Sequence, residues 1–172
     1  MEILSPAGSF LALQAAVRYG ADAVYVGGAR FSARKNAQNF SDDELVRAVD
    51  YCHLRGVKLY LCCNTLMKEN ELDDVMDFVR YAYAIGVDAL IVQDLGLISR
   101  VRRELPDFPL HASTQMTTVD SFGVNQLAAL GMKRVVLSRE LSKEQIKSIK
   151  QNTRMELEVF VHGALCISYS GQ

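Results

Sequence analysis

Short apolar runs alternate with longer amphipathic stretches from one end of the chain to the other. The junctions repeat: "RYGADAVYVGG", "LRGVKLYLCCN", "AIGVDALIVQD" and "ALGMKRVVLSRE" each pass from an amphipathic segment through a glycine into a β-branched run. Gly20, Gly56, Gly86 and Gly131 stand where a helix C-terminus favours a residue tolerant of left-handed backbone. The runs after them are too short for helices and rich in Val, Leu, Ile and Tyr, as buried strands are. Strands are expected near residues 2–4, 23–26, 58–62, 89–92, 110–113, 134–137 and 156–161.

Helices are expected over Ser9–Tyr19, Ser41–Arg55, Leu72–Ile85, Leu95–Glu104, Ser121–Leu130 and Ser142–Gln151. Ser9 is a candidate N-cap. "SDDE" from Ser41 has the capping-box spacing, and "SKEQ" from Ser142 is a cap followed by an early acid. Repeated βα units imply a parallel sheet with right-handed crossovers.

Two architectures fit this order: a doubly wound open sheet and a (β/α) barrel. Strand parity favours the barrel. Met155, Leu157, Val159 and Val161 share one face of the last strand, opposite Glu156, Glu158, Phe160 and His162. His111, Ser113 and Gln115 share a face, and Leu59 and Leu61 oppose Tyr60, Cys62 and Asn64. An open sheet covered on both sides would be apolar on both faces. The fold class expected is therefore α/β, a TIM-like barrel, incomplete, with about seven parallel strands and six helices. A whole barrel takes about 250 residues. Residues 1–172 are thus expected to be an N-terminal barrel domain truncated before its last βα unit and C-terminal region. Its open edge offers a route to dimerisation.

Composition narrows the picture modestly. Hydrophobic residues make up 49% and charged residues 23%, with a net charge of −1, so no global field points to nucleic acid or membrane. The N-terminus lacks a signal-peptide pattern and no apolar run reaches membrane-spanning length, which makes the cytoplasm the default location. The four cysteines, Cys52, Cys62, Cys63 and Cys166, show neither a disulfide framework nor a zinc spacing. Cys62 and Cys63 end a strand and read as core; His53 reads as surface.

In a βα barrel, chemistry gathers at the C-terminal ends of the strands. Those ends are Ser5, Gly27 and Gly28, Asn64, Gln93 and Asp94, Ser113 with Gln115, Ser138 with Arg139 and Glu140, and His162 with Gly163. The segment "GGARFSARKNAQNF" adds Arg30, Arg34 and Lys35 between Phe31 and Phe40, a mixture able to hold an anion or a stacked base. HExxH, GxSxG and glycine-rich phosphate loops are absent. His162 and Cys166 are four apart and could pair as base and nucleophile, but no third orienting group accompanies them.

Several stretches carry a family resemblance. They are "LSPAGS" at 4–9, "GADAVYVGG" at 20–28, "FSARKNAQNF" at 31–40, "HASTQM" at 111–116, "LSRELS" at 137–142 and "EVFVHGALCISYSG" at 158–171. With these the chain resembles the U32 family, catalogued as peptidases or collagenase-like proteases. The resemblance also implies an RNA-modifying activity, since similar members hydroxylate pyrimidines in tRNA or 23S rRNA and others serve ubiquinone hydroxylation. It implies a [4Fe–4S] cluster whose first cysteine is Cys166, with a second directly after Gln172 and two further on. This chain alone is expected to hold no intact cluster and to be inactive. The reading drawn is an RNA hydroxylase. Arg34, Lys35 and Arg139 would hold anionic groups of RNA. Gln115, Asn64 and His162 would orient the base or a small oxygen-donor metabolite, with Glu140 in the same catalytic set. Peptidase action through Cys166 and a non-catalytic accessory barrel are the alternatives.

Overall fold

The computed structural model describes residues 1–32, 39–163 and 168–171. It forms two compact units, Met1–Phe108 and Pro109–Gln172. The first unit contains β1 (Leu4–Ala7), α1 (Phe10–Arg18), β2 (Ala23–Gly27), α2 (Asp42–His53), β3 (Lys58–Cys63), α3 (Leu72–Ala84), β4 (Ala89–Val92) and α4 (Leu95–Glu104). Its strands pair in parallel, each with the next: β1 with β2, β2 with β3, and β3 with β4. The second unit contains β5 (Leu110–Ala112), α5 (Ser121–Ala129), β6 (Arg134–Val136), α6 (Lys143–Gln151) and β7 (Glu156–Glu158), again parallel and in sequence order.

Local chemistry sets the boundaries. Ser9 Oγ accepts the Ala12 N–H at 3.2 Å at the start of α1. At Ser41 both halves of a capping box form: Ser41 Oγ accepts the Glu44 N–H and Glu44 Oε2 accepts the Ser41 N–H. Ser142 and Gln145 do the same for α6. Each exchange satisfies N–H groups that a helix start otherwise leaves unpaired. All four junction glycines have positive φ, from +69° at Gly56 to +91° at Gly20, as their positions predict.

Period-two alternation holds in the first unit. Ala23, Tyr60, Cys62, Ala89 and Ile91 pack together with Leu4 and Tyr25 on one side of the sheet. The alternate residues Val24, Val26, Leu59, Leu61, Leu90 and Val92 are also buried, on the side covered by helices. Two strands differ from expectation. The first runs over Leu4–Ala7 rather than 2–4 and includes Pro6. Proline, which lacks an N–H, is tolerated here because β1 is the terminal strand of its unit. The last strand stops at Glu158 rather than 161, its final rung being the Leu137 N–H to Glu158 carbonyl bond at 2.9 Å. Val161, assigned by parity to an apolar face, is 91% exposed. Glu156 and Glu158 instead converge on the Arg134 guanidinium, at 2.9 and 3.5 Å.

Candidate functional site at the strand ends

In the first unit the segments leaving β2, β3 and β4 are tied to one another. Gly28 forms an isolated bridge with Phe40: the Phe40 N–H donates to the Gly27 carbonyl at 2.9 Å and the Ala29 N–H to the Phe40 carbonyl at 3.1 Å. These bonds pin both ends of the segment that contains Arg34 and Lys35, which lie outside the described residues. Close packing demands glycine here. A Cβ on Gly27 would sit 2.7 Å from Asn39 Oδ1, and one on Gly28 would sit 2.6 Å from the Phe78 ring. The Arg30 guanidinium stands 5.7 Å from the centroids of both Phe31 and Phe78. The Asn64 carbonyl accepts from Gln93 Nε2 at 2.8 Å, and Thr65 Oγ1 donates to the Phe31 carbonyl at 3.2 Å. Asp94 both caps α4, through Leu97, and accepts the Met67 N–H.

The second unit brings Arg139 and Glu140 together through a residue the sequence did not single out. Ser170 is 1% exposed. Its N–H and hydroxyl both donate to Glu140 Oε1, at 2.8 and 3.1 Å. Its Oγ accepts from the Arg139 N–H and Nε, at 3.3 and 3.2 Å. Its carbonyl accepts from Thr117 Oγ1 at 2.8 Å, and Arg139 also reaches the Ser168 carbonyl at 3.4 Å. The return formed by residues 168–171 is thus fastened to the turn after β5 and to the end of β6. Gln115 lies in that turn, a single 3-10 turn over Thr114–Met116, where its N–H donates to Ser113 Oγ. Gln115 Oε1 and Ser138 Oγ are buried and have no hydrogen-bond partner among the described residues.

Burial pushes the Glu140 carboxyl upward, but the bonds from the Ser170 N–H, from its own backbone and from the Ser170 hydroxyl, with the Arg139 charge, outweigh it and hold the group below the usual carboxylate range. A depressed folded pKa means the carboxylate's contribution is complete above the ordinary carboxylate pKa and fades as pH falls through the depressed value. The Ser170 amide proton is therefore expected to be most protected from exchange near neutrality and to lose protection in acid. In Glu140→Gln that protection should be weaker and no longer follow this titration. A pH series of hydrogen exchange on both forms checks this; identical profiles would refute it.

His162 is exposed and makes no hydrogen bond among the described residues. Cys166 lies outside the described residues. Cys52, Cys62 and Cys63 are buried and form no disulfide among the described residues. Burial, with the Asp88 charge, pushes the Cys52 thiol up to about 11, and burial pushes Cys63 up further, so both stay protonated. Among the described residues no group of three or more His, Cys, Asp or Glu could hold a metal ion.

The strand order and the polar strand ends define the class as an incomplete (β/α) barrel. Its backbone resembles that of the U32 peptidase Mk0906, with a TM-score of 0.75 at 17% identity over 92% of this chain and 68% of that one. The chain belongs to peptidase family U32, whose profile matches residues 8–172. Over 172 residues it is 41% identical to the 23S rRNA 5-hydroxycytidine C2501 synthase of Escherichia coli, covering all of this chain and 26% of that protein. It is also 41% identical to tRNA hydroxylation protein P of E. coli, over 99% of this chain and 38% of that protein. An uncharacterized protease of Methanocaldococcus jannaschii is 42% identical, over all of this chain and 43% of that protein. The chain thus spans well under half the length of each of these three relatives.

Proposed function

We propose that the protein carrying this chain is an RNA-modifying enzyme that hydroxylates a pyrimidine base in tRNA or rRNA. The observation that carries this reading is the 41% identity, across essentially the whole chain, to both an rRNA 5-hydroxycytidine synthase and a tRNA hydroxylation protein. The polar strand ends suit it. Gln115, Asn64 and His162 are the groups available to orient a base and a small oxygen-donor metabolite. Arg34, Lys35 and Arg139 are the cations for anionic groups of the RNA, and Glu140 sets the position of Arg139's neighbour Ser170. No helix among the described residues is long and apolar enough to cross a membrane, and the reading places the protein in the cytoplasm.

An iron–sulfur cluster belongs to the same reading, with Cys166 as one thiolate ligand and the remaining ligands supplied outside this chain. Iron and sulfide content of the full-length protein against its Cys166→Ala variant tests that part. Self-association through the exposed residues after β7 would be read by sedimentation. The peptidase alternative turns on Cys166, which lies outside the described residues.

Deleting the gene should remove the mass of one oxygen atom from a pyrimidine in tRNA or 23S rRNA, seen by mass spectrometry of nuclease digests. Restoring the full-length gene should return it. If every RNA hydroxylation survives deletion, the substrate assignment is wrong.

A further inference from the structure

Two polar atoms in the second unit are buried without a partner at neighbouring strand ends. Ser138 is 3% exposed, and neither its Oγ nor Gln115 Oε1 has a hydrogen-bond partner among the described residues. A buried hydroxyl or amide oxygen left unpaired is destabilising, and such atoms are few in native proteins. Each one therefore asks for a reason.

The turn that carries Gln115 is bonded to the end of β6 on both sides of it. His111 lies opposite Arg134 and Ala112 opposite Val135 on the parallel strands β5 and β6. Past the end of β5 the Thr114 hydroxyl donates to the Leu137 carbonyl at 3.4 Å, and the Ser138 N–H donates to the Thr118 carbonyl at 3.1 Å. Gln115 lies between those two bonds, so its amide oxygen and the Ser138 hydroxyl belong to one small region at neighbouring strand ends. The pair offers one acceptor, the Gln115 amide oxygen, and one hydroxyl able to donate.

We propose that Gln115 and Ser138 read the hydrogen-bonding edge of a pyrimidine base, Gln115 accepting from a ring or exocyclic N–H and Ser138 donating to a neighbouring ring nitrogen or carbonyl oxygen. This rests on the RNA-hydroxylase reading and specifies its substrate contact. Pyrimidines present a donor next to an acceptor on that edge, and a base taken out of its stack is read there. The neutral pair matches a neutral base, while charge for the phosphates is left to the arginines. Both atoms are closed to solvent in the free chain. Binding therefore needs a local opening at this end of the second unit, where the 168–171 return packs against the Gln115 carbonyl through Gly171 and holds Arg139 through Ser170.

The test uses the full-length protein and a short single-stranded RNA carrying the target pyrimidine in unmodified form, with Ser138→Ala and Gln115→Met. Each variant removes an unpaired polar atom, so thermal midpoints should stay level or rise, whereas loss of a structural hydrogen bond would lower them. Oligonucleotide binding should weaken roughly three- to tenfold for each. Hydroxylation should show a raised KM with kcat nearly kept. If the wild type binds and hydroxylates RNA while both variants match it, the atoms hold water only and this inference fails with the reading intact. If the wild type neither binds nor hydroxylates RNA, both fail.

Discussion

Replacing Gly171 by alanine should release residues 168–171 from the second unit. Gly171 has a φ of +88°, and a Cβ there would lie 2.1 Å from Thr117 Oγ1 and 2.8 Å from the Gln115 carbonyl. The hydroxyl could rotate aside, but only by giving up its 2.8 Å bond to the Ser170 carbonyl. The carbonyl is backbone, and it belongs to a turn already closed by Thr117 at a φ of +52°. Left-handed backbone alone costs alanine about 1–2 kcal/mol. With the steric overlap added, the return is less stable off glycine by about 2 kcal/mol or more.

Hydrogen exchange and limited proteolysis of residues 168–171 would report the release directly. The strands and helices of both units should stay protected, since the atoms nearest a Gly171 Cβ all belong to the turn after β5. Unchanged exchange at 168–171 would overturn this account.

The sequence made the βα order legible because each boundary is a local event. A serine reaches a backbone N–H three residues on, or a glycine takes positive φ, and both leave a mark within one turn. Parity was legible for the same reason in β3, where Tyr60 and Cys62 face one cluster and Leu59 and Leu61 the other side. It failed beyond Glu158, since an apolar residue is buried only where a neighbour covers it, and nothing in the pattern of Val159 and Val161 says whether one does.

The site was legible by position and not by contact. Arg139 and Glu140 stand out in the sequence because strand ends are where barrels place polar groups. Their organiser, Ser170, lies some thirty residues from Arg139 and Glu140 in the chain, and no local rule pairs residues so far apart. The positive φ of Gly171 was the available signal: a glycine after "SYS" marks a turn fixed by something, though not what fixes it. Asn64 also contributes its backbone, its carbonyl accepting from Gln93 Nε2.

Gly28→Val should be the most damaging single change in the first unit. The Cβ position lies 2.6 Å from Phe78 Cζ and 3.2 Å from Cε1. Phe78 is 3% exposed, and its ring is flanked by Phe31, with centroids 6.1 Å apart, and by Arg30. The ring therefore cannot swing into solvent without breaking that stack. Overpacking of this kind costs about 1–3 kcal/mol and occasionally more, and valine's two further methyl groups put this site at the upper end. The strain falls on the Gly28–Phe40 bridge, so the segment containing Arg34 and Lys35 should be freed at its base before the sheet itself gives way. Urea unfolding measures the loss of stability, and exchange at the Ala29 and Phe40 amides locates it. The pair Gly28→Ala and Phe78→Leu supplies the decisive comparison. If ring overlap is the cause, Phe78→Leu should remove much of the alanine variant's cost, giving a double mutant well short of the sum of the singles. Additive costs would mean that Gly28 is required for its backbone and not for the space above it.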